Sequence, residues 1–212
     1  MEKERRIKTL SLVALIVAVL GLTVAFAALS QTLTINGTAS INSATWDIHF
    51  ENLGSDTNGD ATINGEPTLN ATTISGINVT LTKPNDSVIF LVDIVNDGTI
   101  DAKVESIEVS ELCTLSSPVE SCDWDNDGEV TETDIQKVND NLTFVAGYND
   151  DSTSIKVNDT LNIGETKKIA IAIAYYKLIE GDTIESEEAT ELPARDLQFN
   201  DLSVTINYVQ AD

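Results

Sequence analysis

The stretch Ser87-Val-Ile-Phe-Leu-Val-Asp-Ile-Val95 decides the fold class of this chain. Its apolar side chains fall on both faces of an extended strand, so it predicts a strand in the centre of a β-sheet. Residues typical of turns bound it on both sides, with Lys83-Pro-Asn-Asp86 before it and Asn96-Asp-Gly98 after it. The sequence therefore predicts a short central strand between two tight connections.

Other short stretches alternate apolar and polar residues, as half-buried strands do. In the first of them, Trp46 is predicted to face the core and His49 to face solvent, and residues 52–67 are predicted to be a connection rich in Gly, Asn and Asp. The predicted strands around the central one are residues 44–50, 61–63, 77–81, 102–109, 168–176 and 202–208. Because no βαβ spacing occurs, we predict an all-β protein with one antiparallel β-sandwich over residues 29–212.

The composition narrows the possible functions. The 212 residues include 42% hydrophobic residues, enough for a packed core, and they carry a formal net charge of −23. A field of this sign repels nucleic acid and anionic membrane surfaces, so we exclude nucleic acid as a partner. In the simplest interpretation, the acidic residues keep the protein surface solvated.

The N-terminus has the pattern of an export signal. Basic residues precede an uninterrupted apolar run, and the small residues Ala25 and Ala27 at its far end suit a signal peptidase that cuts after Ala27 or Ala28. The run is also near the length of about 20 residues that spans a bilayer. Residues 1–28 are therefore a signal peptide or, alternatively, an anchor in which residues 9–28 cross the membrane. Both alternatives send the rest of the chain outward.

Cys113 and Cys122 are the two cysteines of the chain. Their spacing is not that of a zinc site, and the single histidine, His49, does not complete one. In an exported chain, two nearby cysteines most simply form one disulfide. The alternative is a pair of free, buried thiols.

Residues 111–141 form a predicted insert that contains the sharpest motif of the chain. The stretch Asp123-Trp-Asp-Asn-Asp-Gly-Glu-Val-Thr-Glu-Thr-Asp134 matches the twelve-residue calcium loop, with Gly128 at its sharp turn and the apolar Val130 anchoring it in the core. The predicted ligands are the carboxylates of Asp123, Asp125, Asp127 and Asp134 and the backbone carbonyl of Glu129. The sequence thus predicts one bound calcium ion; the alternative is an acidic turn that aligns by chance.

The last position of this loop is Asp134 rather than the Glu of calcium sensors. In this respect the loop resembles the calcium loop of dockerins, although the second loop and the entering helix of dockerins are missing. A short helix over residues 134–139 is predicted to follow. Because no pair of packed helices flanks the loop, the predicted ion is structural and does not open a binding surface.

Motifs of catalysis are absent from the sequence, which has no HExxH, no GxSxG, no P-loop and no dinucleotide fingerprint. A single histidine leaves little acid–base capacity near neutral pH. Carboxylate pairs occur throughout so acidic a chain and do not locate a site. We therefore expect that the protein is not an enzyme.

Five stretches, taken in order, carry a resemblance to a known family. They are Ala27-Ala-Leu-Ser-Gln-Thr-Leu-Thr-Ile-Asn-Gly-Thr38 after the export segment, Ala44-Thr-Trp-Asp-Ile-His-Phe50, Val95-Asn-Asp-Gly-Thr99, Leu161-Asn-Ile-Gly-Glu-Thr166 and Leu202-Ser-Val-Thr-Ile-Asn-Tyr-Val-Gln210. Together they resemble the TasA/camelysin family of exported surface proteins over most of the chain. The calcium loop and the cysteine pair look like an insertion beyond that family's common core. The metallopeptidase label of some camelysin-like members is not implied, because the chain has no set of zinc ligands.

The resemblance implies a jelly-roll sandwich, removal of the leader by a dedicated signal peptidase, and assembly into extracellular fibres of a biofilm matrix. Members of that family assemble by donor-strand complementation, in which the mature N-terminal segment of one subunit completes a sheet of the next. Here residues 29–36 are the candidate donor, with Leu33 and Ile35 entering the acceptor. Alternatively, these residues form the first strand of their own sandwich.

From these patterns we expect a secreted or cell-surface structural subunit whose main partners are further copies of itself. Surface glycans or matrix proteins are further candidate partners, and a signal peptidase acts during export. The alternative is a membrane-anchored adhesion or carbohydrate-binding module stabilised by calcium.

Overall fold

The computed structural model of the protein describes residues 44–115, 122–150, 153–179, 185–188 and 192–211. The predicted export segment, residues 1–28, and the predicted donor segment, residues 29–36, lie outside the described residues. Within the described ranges, no helix has the length and apolar character needed to cross a membrane.

Twelve strands and one helix make up the described structure. The strands are β1 (Ile48–Asn58), β2 (Thr62–Ile63), β3 (Thr68–Asn70), β4 (Thr73–Leu81), β5 (Ser87–Asn96), β6 (Ala102–Val109), β7 (Thr143–Tyr148), β8 (Thr160–Leu161), β9 (Thr166–Ala174), β10 (Tyr176–Ile179), β11 (Glu185–Glu188) and β12 (Leu197–Gln210). The helix, α1, is Glu132–Asn141 and lies between β6 and β7.

These strands form two main antiparallel sheets. The first sheet has the order β1-β5-β9-β7, and the second has the order β2-β4-β12-β6-β8, with β3 also paired to β4. Strands β10 and β11 pair with each other in a separate hairpin. Buried side chains from both main sheets belong to one hydrophobic core. The predicted all-β class with antiparallel sheets is therefore confirmed, and the shared core is that of a β-sandwich.

The central position predicted for residues 87–95 is confirmed by β5, which pairs with β1 on one side and β9 on the other. Its side chains Val88, Phe90, Val92 and Ile94 are at most 1% exposed. The side chains between them are half-buried. One face of β5 thus packs in the core, and the apolar residues of its other face lie partly covered near the surface.

The prediction for Trp46 was wrong. Strand β1 begins only at Ile48, and Trp46 is 47% exposed. The residues before β1 continue the register of β1 on β5, since Asp97 donates its N–H to the carbonyl of Asp47 and Thr99 donates to that of Thr45. They pair with residues beyond Asn96, where β5 ends, so Trp46 lies past the end of the core. His49 is half-buried, and its Nδ1 lies 2.9 Å from a carboxylate oxygen of Asp47.

The predicted connection after residue 51 was also partly wrong, because β1 continues to Asn58. A shift in the register of β1 on β5 between Glu51 and Gly54 absorbs the irregular residues. Asn52 adopts a positive φ of 55° there, a conformation that Asn tolerates better than most residues. A bulge thus lets turn-type residues remain in a strand.

The two ends of the sandwich can be named from β5, which spans about 30 Å. We call the end at Asn96 the tip and the end at Ser87 the base. At the tip, the buried Asn96 amide donates to the carbonyls of Ile100 and Leu161 and accepts from the N–H of Gly98. One side chain therefore holds two tip loops, residues 97–101 and residues 161–165, in place.

At the base, the fully buried carboxylate of Asp86 organises the turn before β5. It accepts hydrogen bonds from the N–H groups of Asp60, Thr82 and Lys83, at 2.8, 2.8 and 3.0 Å, and from the Thr82 hydroxyl at 3.0 Å. Burial alone would raise the pKa of Asp86, but these hydrogen bonds outweigh it, and the pKa is lowered from its ordinary value.

We predict that Asp86→Asn destabilises the protein by about 1–3 kcal/mol at pH 7, because an amide cannot accept at both oxygen positions. The carboxylate's stabilisation should be complete above the unfolded-state pKa of about 3.9 and be lost as the pH falls through the lower folded-state pKa. Denaturant unfolding of the wild type and of Asp86→Asn, at a series of pH values between 7 and 2, measures the difference in the free energy of unfolding.

The matched control is Asp97→Asn at an exposed position, which should leave the unfolding midpoint nearly unchanged. A stability difference between the wild type and Asp86→Asn that is as large at pH 2 as at pH 7 would contradict the role of the ionised carboxylate.

Candidate metal centre

The insert between β6 and β7 contains the predicted calcium loop and helix α1. The helix covers Glu132–Asn141, longer than the predicted residues 134–139. Thr131 is its N-cap, and Thr131 and Asp134 form a reciprocal capping box that satisfies two backbone N–H groups at the first turn. Val138 is fully buried and packs the helix against the core. The local sequence thus both starts the helix and attaches it.

A disulfide joins Cys113 to Cys122, with 5.9 Å between the two Cα atoms. Both residues are buried, and Cys122 directly precedes the first residue of the loop. The bond therefore ties the beginning of the loop to the segment that follows β6.

Three carboxylates converge in the loop. Asp123, Asp125 and Asp134 each offer an oxygen, and the three oxygens lie within 4.8 Å of one another. Asp123 and Asp134 are buried, whereas Asp125 is exposed. The residues at positions 1, 3 and 12 of the predicted loop are therefore together in space, as a cation site requires.

The carboxylate of Asp127, a fourth predicted ligand, does not belong to this cluster. The Asp127 carboxylate accepts a hydrogen bond from the N–H of Glu129 at 2.9 Å, and Glu129 is exposed. The backbone around them supports the cluster instead. Asp127 donates its N–H to Asp123 at 3.1 Å, and Gly128, with a φ of 96°, donates to Asp123 at 2.9 Å. The glycine thus supplies the predicted sharp turn.

Asp134 is held in its ionised form. Its Oδ2 accepts from the hydroxyl of Thr131 at 2.5 Å and from the N–H of Thr131 at 2.9 Å, and its Oδ1 accepts from the N–H of Trp124 at 3.3 Å. The hydroxyl bond is the largest cause that lowers the pKa of Asp134, and together these bonds outweigh the effect of burial. A carboxylate of this kind is negatively charged at neutral pH and can serve as a ligand.

Trp124 anchors the loop to the sandwich. Its ring meets that of Tyr175 edge to face, with the centroids 6.3 Å apart and the planes at 85°. Trp124 is 2% exposed and Tyr175 is fully buried. The partly buried Val130 also packs against the core, as predicted for position 8 of the loop. Aromatic burial of this extent holds the loop in one place.

Arg195 is the functional residue that sequence reasoning missed. Its guanidinium donates to the side-chain carbonyl of Asn126 and lies 4.0 Å from a carboxylate oxygen of Asp123. The neighbouring Ala194 donates its N–H to the carbonyl of Trp124 at 2.9 Å. The only available signal was that Arg195 is the sole arginine after Arg6, which gives no position relative to the loop.

The arrangement suits a hard divalent cation, because its donors are carboxylate oxygens. Without a cation, three carboxylates at this separation repel one another, and the guanidinium of Arg195 offsets part of that charge. The cluster could therefore hold a metal ion in the described loop.

Comparisons with known proteins add no relative to this description. A scan against protein-family models, a search of curated proteins and a search of solved structures each found no match.

We predict that calcium, used as the probe cation, raises the melting temperature of the full chain. A concentration about 100 times Kd should raise it by about 5–10 °C, because a ligand that binds only the folded state stabilises it by mass action. Asp123→Ala should abolish this rise in melting temperature. Thermal unfolding followed by circular dichroism measures it. Glu132→Gln, an exposed acid of α1 outside the cluster, is the control. Identical melting curves with calcium and with a chelator would exclude the site.

We predict that Arg195→Gln strengthens calcium binding by about fivefold, because it removes a positive charge next to Asp123. Calorimetric titration of the two proteins measures the change, with Lys103→Gln on β6 as a cation control at the other end of the sandwich. Weaker binding in Arg195→Gln would instead mean that the arginine maintains the shape of the loop.

Proposed function

We propose that this protein is a non-catalytic structural subunit of an extracellular fibre or cell-surface matrix, assembling from copies of itself by donor-strand exchange. The observation that carries the proposal is a groove at the base, bounded by two strand edges that have no partner strand within the described ranges, in a chain whose candidate donor segment joins at the tip. The resemblance to the TasA/camelysin family supports the same function and a jelly-roll connection of the strands.

The first open edge belongs to β6 in the second sheet. Strand β8 pairs only with Ala102 and Lys103, and Val104 exchanges hydrogen bonds with residues 158 and 159. Beyond Val104, among the described strands, β6 pairs only with β12 on its other side. The part of β6 nearest the base therefore offers an edge for an added strand.

The second open edge belongs to β7 in the first sheet. All six residues of β7 pair with β9. On the opposite side, the described residues reach β7 only near its end, where Gly147 forms a bridge with Ser154 and Tyr148 donates to Thr153. Among the described residues, Phe144, Val145 and Ala146 have no strand partner on this side, and in this proposal they form the second edge.

A groove of about 460 Å³ lies between the base ends of these two strands and helix α1. Its apolar lining includes Val109, Leu112, Ile135, Leu142, Phe144 and Val145. An entering strand gains backbone hydrogen bonds from an edge and buries alternate side chains in the groove. Leu33 and Ile35 alternate in this way in the candidate donor.

The two ends of the molecule favour a fibre over a closed dimer. The donor segment, residues 29–36, connects through residues 37–43 to Ala44, next to the tip loops. The groove is at the base, about 30 Å away along β5. An interface between two different surfaces of the same chain is heterologous and propagates into an open assembly.

Calcium has a structural role in this proposal. Helix α1 lines the groove through Ile135 and Asn139, and the first turn of the same helix carries Asp134 of the carboxylate cluster. A bound ion would therefore hold one wall of the acceptor. Release of the donor by a signal peptidase, after secretion, would confine assembly to the outside of the cell.

We predict that the double variant Leu33→Asp, Ile35→Asp abolishes fibres, because charges cannot enter an apolar groove without a large desolvation cost. The full chain is exported, purified and examined by sedimentation and electron microscopy. Thr32→Asp, Thr34→Asp adds the same charge on the other face of the segment and should still assemble. Monomers of the wild type under all conditions would refute the fibre. Equal assembly of both variants would refute the donor role.

A further inference from the structure

Five large apolar side chains are exposed in the part of the chain that the structure describes. They are Trp46 at 47%, Leu115 at 51%, Val157 at 54%, Ile163 at 55% and Leu192 at 70%. Each exposes apolar surface that water disfavours. Their positions divide them into two groups at opposite ends of the sandwich.

The first group, which we call the tip patch, is Trp46, Val157 and Ile163. Trp46 lies between Thr45 and Asp47, which bond to tip loop 97–101, and Ile163 donates its N–H to Asp101 of the same loop. Val157 belongs to a turn that bonds to Val104, near the beginning of β6. All three therefore lie around the end of the sandwich at which the described chain begins.

The second group, which we call the base patch, is Leu115 and Leu192. Leu115 follows Cys113, which lines the groove beside helix α1. Leu192 precedes Ala194, whose N–H donates to Trp124 in the metal loop. Trp124 in turn packs on Tyr175, directly after β9 ends at the base. Both leucines thus belong to the end that carries the acceptor groove.

We propose that the tip patch of one copy packs against the base patch of the next copy, forming a stacking contact separate from the donor strand. This inference rests on the proposed fibre function. It assigns a role to Trp46, whose side chain is exposed before β1 and does not belong to the hydrophobic core.

The length of the connecting chain favours this pairing of surfaces. Residues 37–43, between the donor segment and Ala44, span at most about 25 Å when fully extended. A donor strand in the groove of the next copy therefore brings the tip of its own copy near the base of that copy. The apolar side chains of the tip patch and the base patch are then buried against each other, as in the centre of a heterologous interface.

A membrane surface fits the tip patch less well. Asp47, Asp97 and Asp101 lie in the same loops, and their carboxylates would be repelled by the anionic lipids of a bilayer. Membrane contact would also leave the base patch without a role. A second copy of the chain accounts for both groups at once.

The test compares Trp46→Ser with the conservative Trp46→Phe in the full, exported chain. Trp46→Ser should raise the critical concentration for fibre formation by about tenfold or more, because aromatic residues at interface centres contribute strongly to affinity. Trp46→Phe should raise it much less. Both should leave the monomer's melting temperature unchanged, since Trp46 is not part of the core.

Leu192→Ser tests the other side of the contact. It should raise the critical concentration as well, and its combination with Trp46→Ser should cost less than the sum of the two effects, since both remove the same interface. Light scattering measured over a range of protein concentrations gives the critical concentration of each variant.

The outcomes separate this inference from the proposed function. A critical concentration unchanged by Trp46→Ser and Leu192→Ser, in a wild type that forms fibres and loses them with Leu33→Asp, Ile35→Asp, would overturn the stacking contact alone. A wild type that never assembles would remove both. Loss of binding to anionic vesicles in Trp46→Ser, with normal fibres, would reassign the tip patch to a membrane.

Discussion

The packing of Trp124 against Tyr175 is the contact on which the candidate site depends. Tyr175 directly follows β9, and its backbone N–H and carbonyl bond to the carbonyl of Asp86 and to the N–H of Asn85. The same residue therefore meets the turn before β5 through its backbone and the metal loop through its ring. The disulfide ties the insert only to itself. The aromatic contact attaches the metal loop to the base of the sandwich, and Val138 attaches helix α1 to the same core.

Electrostatics adds a second constraint, because the chain carries a formal net charge of −23. A carboxylate cluster in such a field is costly unless its members are hydrogen-bonded or neutralised. Asp123 and Asp134 accept backbone N–H groups, which explains how two buried acids coexist. Arg195 supplies a positive charge beside Asp123. A cation and this guanidinium would act on the same carboxylate, so the occupancy of the site and the position of residues 192–196 are physically coupled.

The strands were predictable where burial alone sets the pattern. Alternation identified β6 and the buried faces of β4, β9 and β12, and the continuous apolar run identified β5. Prediction failed where the alternating pattern extends beyond the end of the core or is weak. Trp46 alternates with Ile48 in sequence, but it lies opposite tip loop 97–101, beyond the end of β5, where the core no longer covers it. Strand β7 was missed because its residues are mostly half-buried and alternate only weakly.

The loop was predictable in kind but not in its contacts. Spacing identified Asp123, Asp125 and Asp134, because their order along the chain defines the turn that brings them together. The spacing did not show that the Asp127 carboxylate lies outside the cluster, because the position of a carboxylate depends on the direction in which its side chain leaves the backbone. Arg195 was beyond prediction, because it reaches the loop only through the sandwich, from a segment distant in sequence.

Within the described residues, the strand edges of this sandwich are protected unequally, and the inequality bears on the proposed assembly. On one side, β1 is interrupted by a register shift beside Glu51, and the second sheet ends in the short strands β2 and β3. Bulges, charges and short strands are the usual means of preventing edge pairing. On the other side, β7 runs in continuous register and β8 covers only the beginning of β6. In the part of the chain that the structure describes, this side therefore lacks those means of protection. In the proposed function, helix α1 and the groove beside it would restrict which strand can enter, so the edge would be selective rather than a general site of aggregation.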